Sequence, residues 1–523
     1  MTSRTSRTLL TGAYAAVLLV ALFLLFYKID GRLLWSDEAE TALLAKNVVK
    51  FGIPKTADGL NHFTLYGASV DGNAANVWTW SPWLQEYIVA ASFKCFGVTT
   101  WAARAPFAFV GWLTLILFCF TIHKIYRNHW VTLSSLLLLS TSEAFLLHSR
   151  QCRYYTVSVF CEILFIYAAY RLLNRDQWAI GLMVLALVLQ FYSNYIIAVA
   201  NFPAIGVLAW MLFKENKRSL LWVIAGLGVF ALMALPWLIY AQPWKQIGVM
   251  TDIYNPWQKI LYYLGTFHFY FVPLVFALFP LGGFIAARLR HPGGGGQKSV
   301  SEIQSKWEVF LLWLLPLYGL MLLIPPGAYT RYLLPILPIG CLLAALWVFR
   351  YVRWKAVAVA LILFQCLSNG ISVVTGYVVG AQHPFRSPMV EFVHGFRPYQ
   401  DRFADVVEYL NKEGRPGETV LVMDPEAPLI FYTQFRILDG RFFGRTLPDP
   451  LPDWILAESA SGTIYQAPVE LGPPLSTYYD KIILSVHDSD RGGNIPRPEI
   501  FQYQSVSARA PYVIYRKRPP SVP

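Results

Sequence analysis

Two adjacent carboxylates, Asp37 and Glu38, stand in the segment RLLWSDEAETALLAKN (32–47), shortly after the apolar run LLTGAYAAVLLVALFLLFY (9–27). A carboxylate held within hydrogen-bond reach of a substrate hydroxyl can take its proton. A second role is compatible with the first: Asp37 can cap the helix beginning here, with Glu40 three residues on completing a capping-box-like pair. Glu38 is superfluous for that cap. Arginines supply the complementary charge. HSRQCRYY (148–155) carries Arg150 and Arg153, three apart and so on one face of a helix, and YTRYLLPILP (329–338) carries Arg331. A guanidinium pairs with phosphate, or anchors a span among lipid headgroups beside Tyr154, Tyr155, Tyr329 and Tyr332. VWTWSPW (77–83) is dense in aromatics, and with His62 and Trp101 it lies in the same region as the carboxylates. Trp78, Trp80 and Trp83 suit either the membrane interface or a sugar ring, which stacks on aromatic faces.

The elements that must position these groups follow from composition. The 523 residues are 56% hydrophobic and 14% charged, with a mean hydropathy of +0.43. Soluble chains carry about a quarter charged residues, so this chain reads as a polytopic α-helical membrane protein. About eleven apolar segments are long enough to span: 9–27, 104–123, 131–149, 154–171, 177–193, 195–213, 219–240, 267–286, 307–325, 331–349 and 355–377. With the N-terminus inside, every inside segment is basic, from Arg4 and Arg7 through Lys124 and Arg127 to Arg350, Arg353 and Lys355. That is the positive-inside bias, and it accounts for the net charge of +12 without nucleic acid as a partner. Arg150, Arg153 and Arg331 then fall on the outer side, which the bias disfavours for anchors.

Two outer regions are long: 28–103, and the tail 378–523. SPWLQEYIVAASFKCFG (81–97) is too short to span and reads as an interfacial helix, as does the stretch from Ser36. LRHPGGGGQKSVSEIQSK (289–306) reads as a flexible inside loop. In the tail, 401–414 and 426–435 read as helices, and 417–424, 479–488 and 510–518 as strands. The expected organisation is a transmembrane domain over 1–377 and a small soluble α/β domain over 378–523 on the outer side. Six cysteines form no CxxC pair and none follows Cys366, so neither a disulfide framework nor a zinc site is expected. No small-residue cleavage site follows the first apolar run, which is expected to be a retained span.

In the order and spacing of its motifs the chain resembles the GT-C glycosyltransferases that use polyprenyl-phosphate-linked sugars, on the branch of the bacterial protein-mannosyltransferase-like enzymes and the lipid A aminoarabinose transferase. WSDEAETALLAKNVVKFGIP (35–54) is similar to the family's motif at the head of its first outer loop, and WSPWLQEYIVAASFKCFG (80–97) to its Pro-containing interfacial helix. TTWAARAPFAFVGWLTLILF (99–118), SRQCRYYTVSVF (149–160), YTRYLLPILPIGCLLAA (329–345) and GETVLVMDPEAPLIFYTQF (417–435) also have counterparts. The resemblance implies an inverting sugar transfer at the outer face of the inner (cytoplasmic) membrane, from a polyprenyl-phosphate donor to a lipid, glycan or protein hydroxyl. It implies Asp37 as general base and Glu38 as a residue that positions the acceptor or shares the catalytic site. Trp80-Ser81-Pro82-Trp83 stands where relatives carry a Lys or His before paired prolines. Phosphate contact then falls to Arg104, Arg150, Arg153 or Arg331, with His62, Trp80, Trp83, Tyr154 and Tyr329 lining the substrate site. No cofactor is implied, and a divalent metal stays open. The competing reading is a transporter or flippase of lipid-linked glycans, which would use ionisable residues deep in its spans, such as Glu143 and Glu162.

Overall fold

The computed structural model describes residues 3–63, 72–215, 217–246, 255–281, 302–378, 402–422, 427–439, 447–456, 475–487 and 509–519. The glycine-rich segment 289–306 lies for the most part outside them.

Helix α1 (Ser3–Phe26) is the first apolar segment. After a short turn, α2 (Ser36–Phe51) begins directly before the carboxylate pair and ends at Gly52, whose φ of +79° is the left-handed conformation that glycine adopts without penalty. Helix α3 (Leu84–Phe96) is the short amphipathic segment, and α4 (Thr100–Tyr126) starts at Thr99, whose hydroxyl accepts the Ala102 N–H.

Among the described residues, six helices are long and apolar enough to cross a membrane, or nine if each of three bent pairs is one span. The expected eleven is therefore not reached. The 15-residue helix Ala179–Ser193 is short for a bilayer. Helix Glu302–Met321 opens with Glu302, Lys306 and Glu308. The bent pairs break at residues 141–142, 272–273 and 369, by 60°, 94° and 81°. Hydropathy alone does not register such breaks.

The tail forms a five-stranded mixed sheet in the order β2-β1-β3-β5-β4. Strands β1 (Thr419–Val422), β2 (Arg436–Asp439) and β3 (Trp454–Leu456) run parallel, while β4 (Tyr479–His487) and β5 (Arg509–Lys517) are antiparallel. Helix Arg402–Glu413 packs Phe403, Val406 and Leu410 on this sheet. The sequence anticipated β1, β4 and β5; β2 and β3 are only four and three residues long, too short for an alternating pattern to register. The segment 426–435 is a single helix only over Ala427–Tyr432.

The sheet unit is docked on the start of α2. The Tyr432 hydroxyl accepts the Leu34 N–H at 2.9 Å and shares a hydrogen bond with Thr100 Oγ1 at 2.7 Å. Asn61 Nδ2 donates to the Phe435 carbonyl at 2.9 Å, and its Oδ1 accepts the Ile437 N–H at 2.8 Å. These bonds satisfy backbone groups on both sides of the junction and close the fold around the carboxylate pair.

Candidate active site

The two adjacent carboxylates point to different surroundings. Successive helical residues are rotated by about 100°, so one side chain can enter the core while the next does not. Glu38 is fully buried. Its Oε1 accepts Arg104 Nε at 2.8 Å and the Cys152 N–H at 2.7 Å; its Oε2 lies 2.6 Å from Arg104 NH2. Oε2 also accepts the Trp35 N–H at 3.3 Å. Glu38 is therefore the carboxylate that closes the N-terminus of α2, and the expected cap by Asp37 and Glu40 is corrected. Arg104 gives its remaining N–H groups to the Ile29 and Arg32 carbonyls, both at 2.8 Å, and the Leu33 carbonyl at 3.1 Å. This buried pair ties α2, α4, the turn after α1 and the 150–154 loop together. Glu38 and Arg104 are held by each other and by backbone groups, and neither lines the cavity described below.

Arg150 is likewise engaged within the protein. It is buried and donates to the Leu24 carbonyl and, at 2.6 Å, to the Tyr27 carbonyl. The shared helical face for Arg150 and Arg153 does not exist, because one helix ends at Ser149 and the next begins at Tyr155. The turn between them sends the two guanidiniums apart. Its close seat on α4 depends on Gly111, where an added Cβ would stand 2.9 Å from Ser149 Cβ and 3.3 Å from Thr156 Cγ2.

Asp37 faces the opposite way. Its carboxylate, 20% exposed, lies 3.2 Å from Arg331 NH1 and 3.8 Å from Arg153 NH2. Arg153 NH1 holds the start of α2 by donating to the Asp37 carbonyl at 3.0 Å, Glu40 Oε1 at 3.2 Å and Thr41 Oγ1 at 2.8 Å. The pairing with Asp37 and Glu40 raises the Arg153 pKa against the opposing effect of burial, its largest influence, so this cation stays charged. Arg331 lies over the Tyr329 and Tyr332 rings, 4.2 and 5.6 Å from their centroids.

Both arginines line a cavity of about 720 Å³. Its other walls are Trp80, Ser81 and Pro82; Tyr154; Asn194, Tyr195 and Ile196; Pro243, Trp244 and Gln246; and Ile324, Pro325, Pro326 and Tyr332. Gln246 latches two walls together: its Nε2 donates to the Trp80 carbonyl at 3.0 Å and its Oε1 accepts the Tyr195 hydroxyl at 2.9 Å. Of the expected lining residues, Trp80 and Tyr154 are in the wall, and Tyr329 stands under Arg331. Trp83 instead donates to the Trp78 carbonyl at 2.8 Å and packs edge-on against Trp237 and Tyr240. His62 is taken up by Asn76 Oδ1 at 3.1 Å and Thr56 at 3.4 Å, within its own loop. Sequence reasoning missed Trp244 and Gln246, although PWKQ (243–246) carries the same Pro–Trp signal as the 80–83 segment. Among the described residues, no three His, Cys, Asp or Glu side chains gather closely enough to hold a metal ion.

Glu86 stands in the first turn of α3. It is fully buried, and its Oε1 accepts Gln85 Nε2 at 2.9 Å. Gln85 Oε1 in turn accepts the Tyr154 N–H at 3.0 Å, which places this pair directly behind the cavity wall. Burial pushes the Glu86 carboxyl from 4.5 up to about 7. The folded chain thus favours the protonated form. That contribution to stability is complete below about 4.5 and is lost as pH rises through about 7. Glu86→Gln keeps the shape without the titration. It is expected to raise the melting temperature more at about pH 8 than at about pH 5, and equal shifts at both would assign Glu86 an ordinary carboxyl.

Glu162, within the membrane-spanning helices, accepts Gln190 Nε2 at 2.8 Å and Asn201 Nδ2 at 2.7 Å, all three side chains being fully buried. The group joins three helices.

A buried ion pair organises the site, and two arginines converge on a carboxylate beside a large, aromatic-lined cavity among apolar helices. These features define a cationic, aromatic-lined cavity among apolar helices. Residues 81–240 match the model of a family described as dolichyl-phosphate-mannose-protein mannosyltransferase. The fold is similar to that of ArnT from Cupriavidus metallidurans, with a TM-score of 0.57 and 13% identity over 97% of this chain and 98% of that one. ArnT bound to undecaprenyl phosphate gives 0.54 and 12% over the same shares. The arabinosyltransferase EmbB from Mycobacterium smegmatis gives 0.40 and 14% over 64% of this chain and 30% of that one. No curated protein matches the chain by sequence. The chain therefore has a fold like that of the GT-C glycosyltransferases, with several helices long and apolar enough to cross a membrane, and residues 81–240 match a glycosyltransferase family model.

Proposed function

We propose that the chain transfers a sugar, with inversion, from a polyprenyl-phosphate donor to an acceptor hydroxyl at the outer face of the cytoplasmic membrane. The observation that carries this reading is Asp37, set between Arg153 and Arg331 at a cavity bounded by aromatic and proline side chains. Undecaprenyl phosphate bound to ArnT supports a lipid phosphate as the leaving group. Asp37 accepts the proton of the acceptor hydroxyl. The acceptor oxygen attacks the anomeric carbon, the bond from that carbon to the phosphate oxygen breaks, and the electron pair stays on the phosphate. Arg331 and Arg153 stabilise the charge developing there. Trp80, Trp244 and Tyr154 offer faces to the sugar, and Ile324, Pro325 and Pro326 offer an apolar surface to the first prenyl units. Arg104 and Glu38 hold the frame. The N-terminus is cytoplasmic in this reading, and the tail domain is extracytoplasmic and covers the head of α2.

The test is to incubate purified full-length protein in detergent with a radiolabelled polyprenyl-phosphate sugar and a membrane-extract acceptor fraction. Label appearing in a product stable to mild acid is the expected result, since a glycosidic bond outlasts the donor's phosphodiester. A transporter forms no such bond.

A further inference from the structure

We infer that Arg331 is exchanged between two anions, the Asp37 carboxylate and the donor phosphate, so that the donor itself uncovers the base. The inference rests on the lipid-phosphate donor proposed above. It starts from a difference between the two cavity arginines. Arg153 is fixed to the first turns of α2 by the Asp37 carbonyl, Glu40 and Thr41. Arg331 has one hydrogen bond there, to Asp37 Oδ2 at 3.2 Å, and otherwise rests on the flat faces of Tyr329 and Tyr332. A ring face supports a guanidinium without dictating where its N–H groups point. Its Nε, like that of Arg153, is buried and has no partner among the described residues, so each arginine has a donor to offer.

Charge counting makes the exchange necessary. Two carboxylates, Asp37 and Glu40, already balance the two cavity arginines. A phosphodiester brings one more negative charge into a partly buried site. It gains a full partner only if a cation leaves a carboxylate. Arg153 would break three contacts to do so and Arg331 one, so Arg331 moves, while Arg153 contributes its Nε in place. Asp37 then keeps only the long 3.8 Å approach of Arg153 NH2. A carboxylate engaged by an arginine has its lone pairs committed, and one released from it can accept a hydroxyl proton. Asp37 therefore acts after the donor has bound, and Glu40 is a positioning residue whose hold on Arg153 decides which arginine is released.

The experiment is equilibrium binding of undecaprenyl phosphate alone to the purified full-length protein and to Asp37→Asn, Arg331→Gln and the double variant. Removing the competing carboxylate is expected to tighten binding by about two- to fivefold, the range of one partly exposed ion pair. Arg331→Gln is expected to weaken binding, and in its background Asp37→Asn is expected to change nothing. No tightening in Asp37→Asn overturns the exchange. Equal tightening in both backgrounds also overturns it, because the carboxylate would then merely repel the phosphate. Asp37→Ser gives the same comparison if the asparagine variant does not fold. Wild-type protein that transfers sugar and binds the lipid, with no tightening in Asp37→Asn, defeats the exchange alone. Wild-type protein that binds no lipid phosphate defeats the donor reading as well.

Discussion

Asp37→Asn is expected to lower the turnover of sugar transfer by about 10²- to 10⁴-fold, the usual contribution of a positioned general base, with the fold unchanged. Asparagine has nearly the same shape and keeps an oxygen for Arg331 NH1, now 3.2 Å from Oδ2, but it cannot take a proton. The fold should tolerate it for three reasons. The Asp37 side chain lies beside the two cavity arginines and is 20% exposed. The start of α2 is closed by Glu38 through the Trp35 N–H. Arg153 is retained by Glu40 and Thr41. The measurement is single-turnover transfer, with gel filtration and thermal unfolding in detergent as controls. An asparagine variant that folds and transfers at an undiminished rate removes Asp37 from the chemistry. The same variant is expected to bind lipid phosphate more tightly, so its loss lies in turnover and not in donor affinity.

Glu38→Ala is expected to do the reverse, with its effect on folding. It leaves the Arg104 guanidinium, 2% exposed, as an uncompensated charge, and it strands the Cys152 N–H. Removing one partner of a buried pair costs roughly 3–5 kcal/mol, a large part of the 5–15 kcal/mol typical of native domains. The variant is expected to aggregate on extraction or to melt far below wild type. Glu38→Gln retains one acceptor for Arg104 and should fall between the two. A Glu38→Ala protein that melts like wild type would show that the pair does not organise the site. Measured side by side, the two neighbouring carboxylates separate catalysis from folding.

The candidate site was legible in its residue types more than in its pairings. The Asp37–Glu38 pair, Arg153, Arg331, Trp80 and Tyr154 stood out as a carboxylate, cations and aromatics where hydropathy places a membrane boundary. The division of labour among the arginines did not. Arg104, Arg150, Arg153 and Arg331 look alike in the chain, yet two are consumed by carbonyls and Glu38 and two face the cavity. Glu86 gave no signal because an isolated carboxylate in a short helix is ordinarily solvated, and only the packing of α3 behind Tyr154 buries it.

By itself the sequence determined the apolar helices, the shorter helices α2 and α3, and the α/β tail, because hydropathy and its period act over neighbouring residues. It determined which charged residues stand next to the apolar segments. Only the tertiary structure decided which of two adjacent carboxylates is buried. That depends on the direction from which Arg104 arrives, and Arg104 lies 66 residues further along the chain. The structure likewise decided that three apolar segments are bent rather than straight, and that segments near residues 80, 153, 195, 245 and 331 enclose one cavity. Such contacts bring together residues far apart in the chain, and no local pattern encodes them.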